Sequence, residues 1–203
     1  MKIAGGALLT SGLEFRTLTR CGRFGAYPDL NTARLELTKL SDMPHADLGD
    51  FGRGGAAVRR VTLTALLTAW DSGGPLPDTT CVIGWNGDGC TAENQKYWHD
   101  YTDCGRTAGR GGLFVATLPT IPYCEAAIAL GCRGQVAYFR TASSTAQLWE
   151  ILAASAPGKY LCGEVTATKV CILLVDTVDA GARPLPDLPE LAEIFSALEA
   201  RRS

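Results

Sequence analysis

The sequence predicts an α/β fold, a mixed β-sheet flanked by helices. Short apolar runs rich in Val, Ile, Leu and Cys alternate with stretches of helical spacing, and Gly or Pro marks most of the boundaries. The element order reads βαβαβ and closes on two strands joined by a turn too short for a crossover, so one pair must be antiparallel. With 203 residues, 46% hydrophobic and 20% charged, the chain is long enough for one buried core.

In order, Lys2 to Leu9 reads as a strand. Leu13 to about Gly55 reads as a loop-rich excursion punctuated by acidic residues, Gly and Pro. Val58 to Trp70 is a helix, with Val61, Ala65, Leu66 and Ala69 at helical spacing, and Asp71-Ser-Gly-Gly-Pro stops it. Thr80 to Gly84 is a short strand that runs into the turn Trp85-Asn86-Gly87-Asp88-Gly89. Thr91 is expected to cap the next helix, which ends before Gly105. Pro119 and Pro122 open a helix running to Leu130 and closed by Gly131. Gln135 to Phe139 is a strand and Ser143 to about Ala154 a helix. Lys159 to Glu164 and Lys169 to Thr177 pair as a hairpin turning near Thr166-Ala167. Pro-rich residues 184–189 introduce a last amphipathic helix, Leu191 to Ala200.

Composition excludes several functions. A net charge of −2 leaves no basic field for a nucleic-acid backbone. The longest strongly apolar run, Val170 to Val175, is far short of a membrane span. The N-terminal apolar stretch Ile3 to Leu9 is broken by two glycines and makes a poor signal peptide. The eight cysteines contain no C-x-x-C pair, and His45 and His99 are the only histidines that could complete a zinc shell. Reduced thiols, no metal, no cofactor and a cytoplasmic location are therefore expected.

Three glycine-rich stretches invite a nucleotide reading: Gly84-x-x-Gly87-x-Gly89, Arg53-Gly54-Gly55 and Arg110-Gly111-Gly112. None has G-x-G-x-x-G spacing or a following Lys-Ser/Thr, so flexible surface loops explain them better. A Ser-His-Asp triad would have to recruit His45 or His99, and neither stands in a catalytic motif. The most informative stretch is 118–150. It reads as helix, Gly turn, strand, then the small residues Thr141-Ala142-Ser143-Ser144 entering another helix. A nucleophile at such an elbow gains from aligned peptide dipoles, which favour developing negative charge. The same small residues serve equally well as helix caps.

This stretch resembles the N-terminal half of the β-ketoacyl synthases, within the thiolase-like condensing enzymes. Ile128-Ala129-Leu130-Gly131-Cys132-Arg133-Gly134-Gln135 is similar to the family's "ALG-x-RGP" turn, and Arg140-Thr141-Ala142-Ser143-Ser144-Thr145 to its "D-T-A-C-S-S" elbow. Lys159 to Glu164 looks like its "GG-x-E" strand end and Lys169 to Asp176 like its later "AALVLE" strand. The resemblance covers roughly residues 1–178, leaving 179–203 as a Pro-rich linker and C-terminal helix. It implies a thiolase-like half with Ser143 at the nucleophile position, Thr141, Ala142 and Ser144 around it, and Arg140 where the family has Asp. Ser is a far weaker nucleophile than a thiolate without an adjacent base. The family's two histidines and lysine belong to a C-terminal half that this sequence does not contain. Its covering segment between the last two strands is reduced to a tight turn.

The resemblance therefore implies a degenerate ketosynthase-like protein, not a competent condensing enzyme by itself. It would be a non-catalytic partner or acyl-chain-accommodating subunit in fatty-acid or polyketide-type biosynthesis. A Ser143-dependent acyltransferase or thioester hydrolase, and an assembly protein without ligand chemistry, are the alternatives. A homodimer, or a heterodimer with a ketosynthase-like subunit, is expected, with an acyl carrier protein as a further partner. The expected interface uses the strand Gln135 to Phe139 and the helices from Ile121 and Thr145; a monomer would require the terminal helix to fold back over the apolar face.

Overall fold

The computed structural model describes residues 1–88, 90–105, 111–141, 144–178 and 185–202. The strands are β1 (Lys2–Leu9), β2 (Phe15–Thr17), β3 (Arg23–Phe24), β4 (Cys81–Trp85), β5 (Val136–Phe139), β6 (Lys159–Val165) and β7 (Val170–Asp176). The helices are α1 (Leu30–Leu37), α2 (Ala56–Asp71), α3 (Thr91–Asp103), α4 (Gly111–Val115), α5 (Ile121–Ala129), α6 (Ala146–Ala154) and α7 (Leu191–Ala200), with a 3-10 turn at Phe51–Arg53. The strands form one sheet in the order β3-β2-β1-β7-β6-β4-β5. Pairs β4–β5 and β4–β6 are parallel, and every other pair is antiparallel. The mixed sheet follows the sequence reading.

Two cores sandwich this sheet. Side-chain alternation sends Val170, Ile172 and Leu174 of β7 to one face, where α1, α2 and α5 pack. Cys171, Leu173 and Val175 meet α6 and α7 on the other. β1 keeps step through a register shift between Ile3 and Gly5. Strict alternation would put Ile3 on the face of Ala7 and Leu9, whereas the extra residue turns it to the face of Leu8. Helix α2 is buried from Val61 to Asp71 and runs through the first core. At its end the Asp71 carboxylate accepts N–H bonds from Gly6 (2.9 Å), Thr19 (2.9 Å) and Arg20 (2.7 Å), fastening helix to sheet.

The excursion at 13–55 holds more order than its composition suggests. Strands β2 and β3 extend the sheet edge, and Asp29 caps α1 by accepting from the N–H groups of Asn31 and Thr32. Thr91 is not a cap. Cys90 holds the N-cap position in a left-handed conformation (φ 60°), Thr91 is the first helical residue, and its hydroxyl donates to Asp88 C=O. Helix α6 begins at Ala146, with Thr145 at its N-cap. Helix α7 folds back onto β1, β6 and β7, burying Leu191, Ile194 and Phe195 completely. With Leu148, Trp149 and Leu152 of α6 buried in the same core, this face is covered within the chain, which corrects the expectation that the helix from Thr145 meets a partner.

Helix α5 is seated by an absence of side chains. Gly84 of β4 and Gly163 of β6 lie opposite each other in register, and the Tyr123 ring rests on both. A Cβ at Gly84 would stand 2.3 Å from Tyr123 Cε2, and one at Gly163 2.8 Å from Cε1. The Tyr123 hydroxyl donates to Gly163 C=O at 3.0 Å. Gly84→Ala should therefore destabilise the fold by about 1–3 kcal/mol through overpacking. Gly12→Ala, where nothing lies within 4 Å, should change stability by less than about 0.5 kcal/mol. Urea denaturation of the two variants beside the parent checks the contrast.

Candidate functional site

The parallel strands β4, β5 and β6 deliver their C-terminal ends to one region. The turn after β4 is stitched to both neighbours. Asn86 N–H donates to Phe139 C=O (2.9 Å), Asp88 N–H to Val165 C=O (2.9 Å), and Thr141 N–H to Asn86 Oδ1 (2.8 Å). Tyr138 donates its hydroxyl to Asn86 C=O. Gly87 is required here, because at φ +70° a Cβ would lie 2.1 Å from the Val165 oxygen. Gly84 and Gly87 are thus packing spaces and not signs of a flexible loop, which corrects the sequence reading for these two; Gly89 lies outside the described residues.

A cleft of about 470 Å³ opens beside this turn. Its floor is Tyr123 and Tyr138, whose rings lie 6.3 Å apart. Pro119 and Pro122 of the α5 entry and Ala56 and Ala57 of α2 supply apolar walls. Arg60 enters from α2, one turn on, and its Nη1 donates to the C=O groups of Thr166 (3.0 Å) and Ala167 (3.3 Å) in the β6–β7 turn. Cys90 and Asp88 close the side toward α3. Burial, and secondarily Glu93, push the Cys90 thiol up to about 11, so it is neutral at physiological pH. Burial likewise raises the Tyr123 and Tyr138 phenols. No His or Lys lines the cleft among the described residues.

The elbow foreseen in the sequence is only partly visible. Ala142 and Ser143 lie outside the described residues. Arg140 is exposed, Thr141 is tied to Asn86, and Ser144 is half-buried with its C=O accepting Gln147 N–H at 3.3 Å. The N-terminus of α6 is sealed by a segment more than forty residues on in the chain. Asp187 Oδ1 accepts Ala146 N–H (3.1 Å), and Leu188 C=O accepts both Thr145 N–H (3.1 Å) and the Thr145 hydroxyl (2.9 Å). Pro186 C=O accepts Trp149 Nε1–H at 2.9 Å. His45 and His99 are exposed and line no part of the cleft. All eight cysteines are free, and no group of three or more His, Cys, Asp or Glu among the described residues could hold a metal. No helix is long and apolar enough to cross a membrane.

Sequence reasoning missed Tyr123, Tyr138, Arg60 and Cys90 as a group. They come from four separate elements, and the one local signal was the glycine turn that immediately precedes Cys90.

No family model matches the chain, and no curated protein matches it. Among solved structures, it is similar to a chain from the complex of a ketosynthase with its chain length factor from Xenorhabdus doucetiae. The TM-score is 0.62 and the identity 14%, over 98% of this chain and 91% of that one. The chain therefore shares its fold, a mixed seven-stranded sheet flanked by helices, with that chain.

On the α6–α7 face, Glu164 is buried and accepts Leu191 N–H at 2.8 Å, anchoring the start of α7. Burial lifts its carboxyl from 4.5 to about 7, opposed by the Leu191 bond and by Lys169 and reinforced by Glu190 and Glu193. Below pH 4.5 the folded and unfolded chains both carry this proton. Between 4.5 and about 7 only the folded chain keeps it, so stability falls as pH rises and levels off above 7. That shift ties roughly 3 kcal/mol to the proton. Thermal melts from pH 5 to pH 8 should show the decline in the parent and a much flatter profile in Glu164→Gln.

Proposed function

We propose that this protein is a non-catalytic partner of a ketosynthase-like subunit in fatty-acid or polyketide-type biosynthesis, and that its cleft accommodates part of an acyl chain. The observation that carries the non-catalytic role is the sealed N-terminus of α6. In the resemblance, this helix follows the nucleophile position and its first amides would face a developing oxyanion. Here the amides of Thr145 and Ala146 are already taken by Leu188 and Asp187. The thiol that lines the cleft, Cys90, is held neutral, and the histidines stand exposed on other surfaces. Decarboxylative condensation needs a thiolate and an imidazole or equivalent acid–base group.

The partner role draws support from the likeness to a chain of a ketosynthase–chain length factor complex, which spans nearly the whole of both chains. It also draws on β5, the last strand of the sheet, which pairs on one side with β4 and has no partner strand on the other among the described residues. An open edge of this kind is normally covered in the working assembly. We place the partner at β5, with Ile128 of α5 (64% exposed) as an apolar contact on the neighbouring helix.

Incubated with an octanoyl thioester of an acyl carrier protein, the isolated chain should gain no stable adduct by intact mass. Co-expressed with the ketosynthase subunits of its host, it should co-purify with one of them as a stoichiometric complex. An octanoyl adduct on Ser143 would establish the acyltransferase instead. A 21.5 kDa species that neither self-associates at micromolar concentration nor co-purifies would remove the partner role.

A further inference from the structure

We infer that the cleft beneath the β4–α3 turn selects, through Arg60, an apolar molecule that ends in a carboxylate. The volume, about 470 Å³, lies within the range of small-molecule sites. The tyrosine floor and the Ala and Pro walls favour an aliphatic or flat apolar body. Among the described residues, Arg60 is the one cation of the lining and has no ion pair, although the charge of Asp88 in the same lining acts on it. Its Nη1 is held by the two turn carbonyls, which fixes the plane of the guanidinium, while Nη2 is buried without an acceptor. A buried donor left unpaired is costly, and a guanidinium keeps its charge at any physiological pH.

The other charges narrow the class. Asp88 and Glu93 also line the cleft, one in the turn and one in the first turn of α3. Two carboxylates so placed oppose a doubly charged phosphate and tolerate a single negative charge only where it meets Arg60. A planar carboxylate matches the fork geometry of arginine. A neutral hydroxyl can accept a hydrogen bond from Arg60 but leaves its buried charge unbalanced, so a carboxylate is held more tightly. The hydroxyls of Tyr123 and Tyr138 are committed to Gly163 and Asn86, so they present rings to the occupant and not donors. This inference rests on the accommodating role proposed above only in the choice of an aliphatic probe.

The test is titration of the full-length chain with octanoate and with octanol, followed by amide chemical shifts. Octanoate should perturb residues of the 86–95 and 165–167 segments at millimolar concentration or below, and octanol should bind at least tenfold more weakly. Arg60→Gln should erase that difference. Ala57→Trp, which fills the cleft from the α2 wall, should abolish both perturbations, with its melting temperature reporting that the fold survives. Equal binding of the two probes to the parent, unchanged octanoate binding in either variant, or no perturbation at all would overturn the inference. Such a failure leaves the partner role standing, since binding is read on the isolated chain and partnering on the co-purified complex.

Discussion

The architecture around the cleft depends on one packing constraint, the contact of the Tyr123 ring with the paired glycines Gly84 and Gly163. Parallel strands β4 and β6 present a flat, side-chain-free patch at this register. The contact brings α5 down onto the sheet, and the hydroxyl bond to Gly163 fixes the direction of the ring. Tyr138 then stacks obliquely beside it at 6.3 Å, and the mouth left between α5, α2 and the β4–α3 turn is the cleft. A methyl group at either glycine would lift α5 and dissolve the geometry on which every nearby polar contact relies.

The sequence made the scaffold legible because each element carried its own local signal. Periodicity marked α2, the Thr166–Ala167 turn announced a hairpin, and Pro122 with Gly131 bracketed α5. The excursion at 13–55 was opaque because β2 and β3 are two or three residues long and take their order from β1, not from their own pattern. The Cys90 cap was unreadable for a related reason. A left-handed cysteine is favoured by nothing in its side chain; it follows from Asp88 N–H bonding Val165 C=O and Thr91 bonding Asp88. The candidate site was the least legible part, since Arg60, Cys90, Tyr123 and Tyr138 meet only through tertiary packing.

The small residues at 141–145 illustrated two physical readings of one pattern, a nucleophile elbow or a helix cap. Thr145 belongs to neither in simple form. It occupies the N-cap position, yet its hydroxyl bonds residues 186–188 and leaves its own helix to be capped by Asp187. A carboxylate at that end also complements the helix dipole. The Pro-rich segment thus does for α6 what Glu164 does for α7: an acidic side chain from elsewhere in the chain satisfies the first free amide. Both helices of this face owe their starting points to long-range acceptors, which local sequence cannot announce.

The short β6–β7 turn also shapes the cleft. Read in sequence, the gap between Glu164 and Lys169 is too small for the covering segment of the condensing enzymes. In the fold, that same brevity exposes the Thr166 and Ala167 carbonyls at the strand end, where Nη1 of Arg60 meets both. A longer connection could carry these carbonyls away and leave the guanidinium free to swing out to solvent. Holding it costs side-chain entropy, and the return is a cation oriented along an apolar wall. The short turn therefore builds the polar end of the cleft, and it does so with backbone atoms.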